Sequence, residues 1–96
     1  MADLLDDHEI DERLGALPGW RREGDALVRD LDRKNFAAAM AYVNEVADLA
    51  EVADHHPDIL VHGWNKVRLT VTNHSAGGLT PADFALAAEI DTLPDA

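Results

Sequence analysis

Between positions 67 and 72 apolar and polar side chains alternate without a break, Val67, Leu69 and Val71 against Arg68, Thr70 and Thr72. Successive side chains of a strand point to opposite faces, so this segment reads as a strand with its odd-numbered residues toward a core. A strand with one dry face needs a covering layer, and the rest of the chain must supply it. A second β-type segment, 59–64, precedes it, and the pair flanks an Asn65-Lys66 turn. Upstream, segments 20–23 and 26–31 flank Gly24-Asp25, a two-residue loop of the kind that closes a tight hairpin.

Three helical patterns provide the layer. Asp6 and Glu9 form an Asp-x-x-Glu cap before Ile10, Leu14 and Leu17, and Pro18-Gly19 stops that helix. Asp32 is the expected N-cap of a long second helix running to about His55, with Phe36, Met40, Val43, Ala47 and Ala50 as its apolar stripe and Pro57 marking its end. Thr80-Pro81-Ala82-Asp83 opens the third: Thr caps, Pro is tolerated at the first helical position and Asp reaches back. Phe84, Leu86, Ala87, Ala88 and Ile90 supply its apolar content. The order α-β-β-α-β-β-α predicts an α+β fold, a four-stranded antiparallel sheet with three helices on one face. The opposite face is expected to be polar or used for association. At 96 residues the chain has room for a single domain, 1–96, around one core.

Eight Lys and Arg against nineteen Asp and Glu give a formal charge of -11, which repels a phosphate backbone and argues against a nucleic-acid partner. The chain has no cysteine, so disulfides, thiolate metal sites and a cysteine nucleophile are excluded together. No apolar run approaches the roughly 20 residues that cross a bilayer, and the first residues lack a basic-then-apolar leader. A cytoplasmic protein with no membrane partner is the expectation.

Four of the five histidines fall between positions 55 and 74. Histidine both takes and gives a proton near neutral pH, so the cluster points to proton transfer, to a metal or simply to a polar helix end. On a helix reaching His55, Glu51 lies four residues earlier and shares its face, the favourable order for an acid and a cation. His74 follows the last strand and precedes Ser75-Ala76-Gly77-Gly78, whose small side chains let backbone groups approach a flat heterocycle. If the second helix ends near that loop, His55, His56 and His74 converge on one pocket. A metal held by these three and a carboxylate is chemically feasible, yet neighbouring histidines rarely both reach one ion. Asp83 is accounted for as a helix cap, Trp64 as core or interface, and His8 and His62 as surface residues.

The spaced pattern Glu51-x3-His55-His56-Pro57-x6-Trp64-x9-His74-x8-Asp83, with Asp54 before the histidine pair, resembles the signature of the pterin-4a-carbinolamine dehydratases. Trp64-Asn65-Lys66-Val67 and Gly78-Leu79-Thr80 are similar to that family too, and the resemblance covers nearly the whole chain. It implies dehydration of 4a-hydroxytetrahydropterin to quinonoid dihydropterin, in tetrahydropterin recycling, with no cofactor and no metal. It also implies catalysis by His55, His56 and His74, and substrate contacts at His55, His56, Pro57, Asn73, His74, Ser75 and Ala76. Glu51, Asp54, Trp64 and Asp83 take supporting roles. The partners it implies are the pterin carbinolamine, a second copy of the chain in a dimer or tetramer, and an aromatic amino acid hydroxylase in the same pathway. The alternative of the same fold is a non-enzymatic pterin-binding or protein-association module.

Overall fold

The strand with the alternating pattern, β4 (Lys66–Val71), lies inside the sheet and is paired antiparallel on both sides. In the computed structural model, which describes residues 4–94, the sheet runs β1 (Arg21–Glu23), β2 (Ala26–Asp32), β4, β3 (Asp58–His62), so that β1 and β3 are the edges. Helices α1 (Asp7–Leu14), α2 (Phe36–Ala53) and α3 (Pro81–Ile90) complete the expected α-β-β-α-β-β-α order. The parity reading holds: Val67, Leu69 and Val71 are buried beside Leu27 and Leu31, in one cluster with Ile10 of α1, Ala39, Tyr42 and Val46 of α2, and Phe84, Leu86 and Ile90 of α3.

Several boundaries depart from the sequence pattern, each for a local reason. β1 begins at Arg21, leaving Trp20 buried just before it with its indole N–H donated to Asp91. Asp32 caps nothing. It ends β2 opposite Lys66, and the N-cap of α2 is Asn35, whose side chain accepts from Ala38 N–H at 2.8 Å. The second hairpin turn spans 63–65 and not the Asn65-Lys66 pair, with Lys66 already in β4 and Asn65 tied to the residue just past β2: Arg33 N–H donates to its carbonyl at 2.8 Å and its amide donates to the Arg33 carbonyl at 3.0 Å. The reversal moves to Gly63 and Trp64, both at positive φ (54° and 58°).

The buried stripe of α2 is Ala39, Tyr42, Val46 and Ala50, whereas Phe36 and Met40 of the expected stripe are exposed and Val43 and Ala47 half-buried. Small alanines let the helix lie close to the sheet, and the Arg33 guanidinium covers the Tyr42 ring at 4.7 Å. The polar sheet face carries an ion cluster in which Asp30 accepts from Arg68 and from Arg21.

The end of α2 bears most on function. The helix stops at Ala53, short of His55, because Asp54 adopts the left-handed conformation (φ 50°, ψ 43°). Its N–H and that of His55 (3.1 Å to Ala50 O) close the last turn onto the free carbonyls. Aspartate is among the few residues that enter this region at modest cost. Pro57 follows and starts the extended run into β3.

Two predictions follow from these local balances. Asp54→Val should lower unfolding free energy by about 1–2 kcal/mol in urea denaturation, since a β-branched residue resists positive φ, while Asp54→Gly keeps wild-type stability or gains slightly. The hydrogen bond from Arg68, followed by that from Arg21, holds the Asp30 carboxyl below its ordinary range against the opposing effect of desolvation. The folded-state pKa is thus below the unfolded one, and the stabilisation is complete above the unfolded value of about 3.9 and lost as pH falls through the folded value. Wild type and Asp30→Asn should therefore differ in midpoint near neutral pH and converge on acidification.

Candidate active site

The left-handed turn at Asp54 separates two adjacent histidines that a continued helix would have left near one another on its surface. His55 turns inward, and its Nε2 lies 2.5 Å from Asp83 Oδ1 on α3. His56 returns over the helix end, where its Nε2 pairs with Glu51 Oε2. The expected Glu51–His55 pairing along one helix face is thus replaced by Glu51–His56. The reason is geometric: the i, i+4 relation holds only while the backbone remains helical.

The two pairs differ in weight. His56 and Glu51 are both well exposed, and such a pair contributes well under 1 kcal/mol. Asp83 is fully buried, 0% exposed, and a carboxylate out of water must be satisfied by donors. It is satisfied by Thr80 N–H at 2.8 Å and Thr80 hydroxyl at 3.1 Å on Oδ2, and by the His55 ring on Oδ1. The expected cap role of Asp83 is therefore present, and the same side chain is also the partner of His55, a double duty its spacing from Thr80 does not announce. Its position in the first turn of α3 adds the favourable field of the helix N-terminus.

The sheet register brings the second histidine segment to the same place. Asp58 pairs with Thr70, so the preceding His55-His56-Pro57 runs beside the end of β4, from which the chain continues through Thr72 to His74. The loop after β4 is held by its own bonds. Asn73 Oδ1 accepts from Ala76 N–H at 3.0 Å, the Asn73 carbonyl accepts from Gly77 and Gly78, and Gly77 takes a φ of 78° that favours glycine. His74 and Ser75 are exposed on this braced loop and Ala76 is half-buried. Asn73 is engaged in the brace through its side-chain oxygen, which leaves its amide NH2 for a ligand.

Trp64 is not brought to this cluster within one chain. It sits 61% exposed in the hairpin turn at the other end of β3, about 16 Å away along five residues of strand. His62 is exposed near that end as well, and His8 pairs with Glu12 on α1. On its other flank His55 lines a cavity of about 360 Å³ between α2 and α3, walled mainly by Leu49, Val52, Ala53, Ala85 and Leu86. Among the described residues, no three His, Asp or Glu side chains are placed to hold one metal ion. No helix there is long and apolar enough to cross a membrane. Chemically, the arrangement is a histidine anchored by a buried carboxylate, a second histidine beside it and a third on a fixed loop, which is the equipment of an acid–base site.

Fold and site together thus define an α+β protein with a carboxylate-anchored histidine cluster at one end of its sheet. The family model for pterin 4 alpha carbinolamine dehydratase matches residues 3–93, and the chain belongs to that family, whose eponymous activity is a hydro-lyase reaction. A relative from Roseiflexus castenholzii, provisionally named a pterin-4-alpha-carbinolamine dehydratase, is 52% identical over 93 residues, covering 97% of this chain and 99% of its own. A crystal structure of a transcriptional coactivator/pterin dehydratase from Brucella melitensis superposes with a TM-score of 0.87 at 32% identity, over 93% of this chain and 96% of that one. A pterin dehydratase-like protein identified as a RuBisCO assembly factor of the alpha-carboxysome aligns less completely, with a TM-score of 0.63 at 28% identity over 76% of this chain and 86% of its own.

The burial contrast sets a prediction. Asp83→Ala leaves Thr80 and His55 without their acceptor and should cost about 2–4 kcal/mol of unfolding free energy. His74→Ala, on the exposed loop, should stay within about 0.5 kcal/mol. Equilibrium urea denaturation of the two variants measures both.

Proposed function

We propose that this chain dehydrates a 4a-hydroxytetrahydropterin to the quinonoid dihydropterin through its three histidines. The observation that carries this reading is the His55–Asp83 pair at the point where the His55-His56-Pro57 segment and the His74 loop share one end of the sheet. In the reaction the bond from carbon 4a to its hydroxyl breaks, a ring N–H proton is lost, a carbon–nitrogen double bond forms and water leaves. One group must protonate the departing oxygen while another takes the ring proton, and no net electron transfer occurs. His55 and His74 are the acid–base pair. His56, tethered loosely by Glu51, holds and orients the ring and shares in proton transfer. The acid and base roles are assigned to the set and not to one ring.

The buried carboxylate suits His55 to this work. Its acceptor oxygen favours a proton on Nε2, which leaves Nδ1 as the reactive nitrogen. Pro57 stiffens the segment carrying both histidines, and the backbone groups of Asn73, Ser75 and Ala76 that the loop brace does not use are offered to the heterocycle. The pathway setting that fits is recycling of tetrahydropterin after an aromatic amino acid hydroxylase.

Protein association is the second reading. Leu60 on edge strand β3, Trp64 in its turn and Phe36 on α2 are exposed large apolar side chains, which suits a dimer or tetramer made by extending the sheet and packing helices. The coactivator and assembly-factor descriptions of the two structural neighbours favour the same reading.

Purified protein given freshly generated carbinolamine should dehydrate it well above the spontaneous rate, and His55→Ala and His74→Ala should each lower kcat by about 100-fold or more. Wild-type turnover at the spontaneous rate would leave association as the function. Full activity in both variants would move the chemistry elsewhere.

A further inference from the structure

We propose that the Thr80 hydroxyl is a positioning group of the site, holding Asp83 so that its second oxygen keeps the His55 ring protonated at Nε2 and bare at Nδ1. The proposal rests on the reading of His55 as an acid–base group and adds a residue to it. Thr80 is buried, 1% exposed, so it does not touch substrate and acts only through its neighbour.

The capping box has two halves, the Thr80 side chain facing the Asp83 backbone N–H and the Asp83 side chain facing the Thr80 backbone N–H, and the second does not require this hydroxyl. Asp83 Oδ2 already accepts the Thr80 backbone N–H at 2.8 Å, and any non-proline residue at position 80 would provide that donor. The hydroxyl brings a second donor to the same oxygen at 3.1 Å. The carboxylate torsion of aspartate is broad, so a carboxylate gripped by one bond can pivot, whereas two donors converging on Oδ2 fix the plane and aim Oδ1 at the ring. Among the described residues the only partner of Oδ1 is His55 Nε2, at 2.5 Å. An ionised carboxylate only accepts, so the proton of that bond resides on the ring nitrogen. The ring is then oriented as well as protonated, with Nδ1 directed away from Asp83. A polar side chain shut inside the first turn of α3 thereby governs which nitrogen the site presents.

Two substitutions separate this role from structural support. Thr80→Val preserves shape and the backbone bond but removes the hydroxyl, while Thr80→Ser restores it. Long-range nitrogen–proton NMR of the histidine rings, recorded where His55 is neutral, should show the Nε2-protonated form in wild type and Thr80→Ser, and a mixture of both tautomers in Thr80→Val. With a carbinolamine substrate, Thr80→Val should lose about tenfold in kcat, the worth of one hydrogen bond to a charged group, with KM within about twofold, and Thr80→Ser should recover it.

The proposal is overturned by an Nδ1-protonated His55 in wild type, by a Thr80→Val protein with unchanged tautomer and kcat, or by Thr80→Ser failing as Thr80→Val does. The spectra need no turnover. Wild type no faster than spontaneous dehydration would defeat the dehydratase reading, while the link from Thr80 through Asp83 to His55 would still be judged by the NMR.

Discussion

A carboxylate removed from water must be given donors, and Asp83 is the point in this fold where that requirement is met by joining two distant stretches of chain. Its partners are Thr80 at the start of α3 and His55 just past the end of α2, the latter 28 residues before Asp83 in sequence. Losing either side leaves a buried acceptor unsatisfied, a cost of a few kcal/mol against a domain stability of about 5–15. The pair therefore ties α3 to the segment that enters β3, and it is also the anchor of the proposed site. Structural and chemical demands fall on the same atoms.

What lets His55 reach that carboxylate is the left-handed residue before it. Had α2 continued, His55 would have stayed on the helical face of Glu51, as an i, i+4 pair in water worth a few tenths of a kcal/mol. Asp54 reverses the path, and the two histidines take different roles, one anchored inside and one loosely held outside. The short β3 that follows then sets His55-His56-Pro57 at the end of β4 from which the chain runs on to His74. Three histidines from two segments lie toward one end of one sheet without sharing an element.

Much of this was legible in the residues. The alternation around Leu69 placed the core face of β4 because strand periodicity is strict, and Thr80-Pro81-Ala82-Asp83 marked α3 because cap, proline and reach-back acid each bear on the same helix start. The end of α2 was less legible. Pro57 is the visible stop signal, but the operative one is the conformation of Asp54, which many aspartates never adopt. The stripe of α2 was misplaced toward Phe36 and Met40 because size was taken for burial in a helix whose alanines make the close contact. Asn65 reads as half of a two-residue turn, but it closes a three-residue one, 63–65, and its bonds to Arg33, just past β2, depend on a segment over thirty residues away. For the proposed site, the spaced histidines nominate candidates, while the partners of His55 and His56 depend on how the backbone turns at Asp54.

The proposed pterin site is the end of the sheet where Asp83 anchors His55, a reading that family membership and the His55–Asp83 pair support. A crystal structure with a bound dihydropterin tests that claim directly. The account predicts the heterocycle against His55, His56 and Pro57 and the 73–76 loop, with His55 Nε2 still on Asp83 and Nδ1 toward the ligand. A pterin bound elsewhere, or a His55 ring released from Asp83 when the ligand is present, would contradict it.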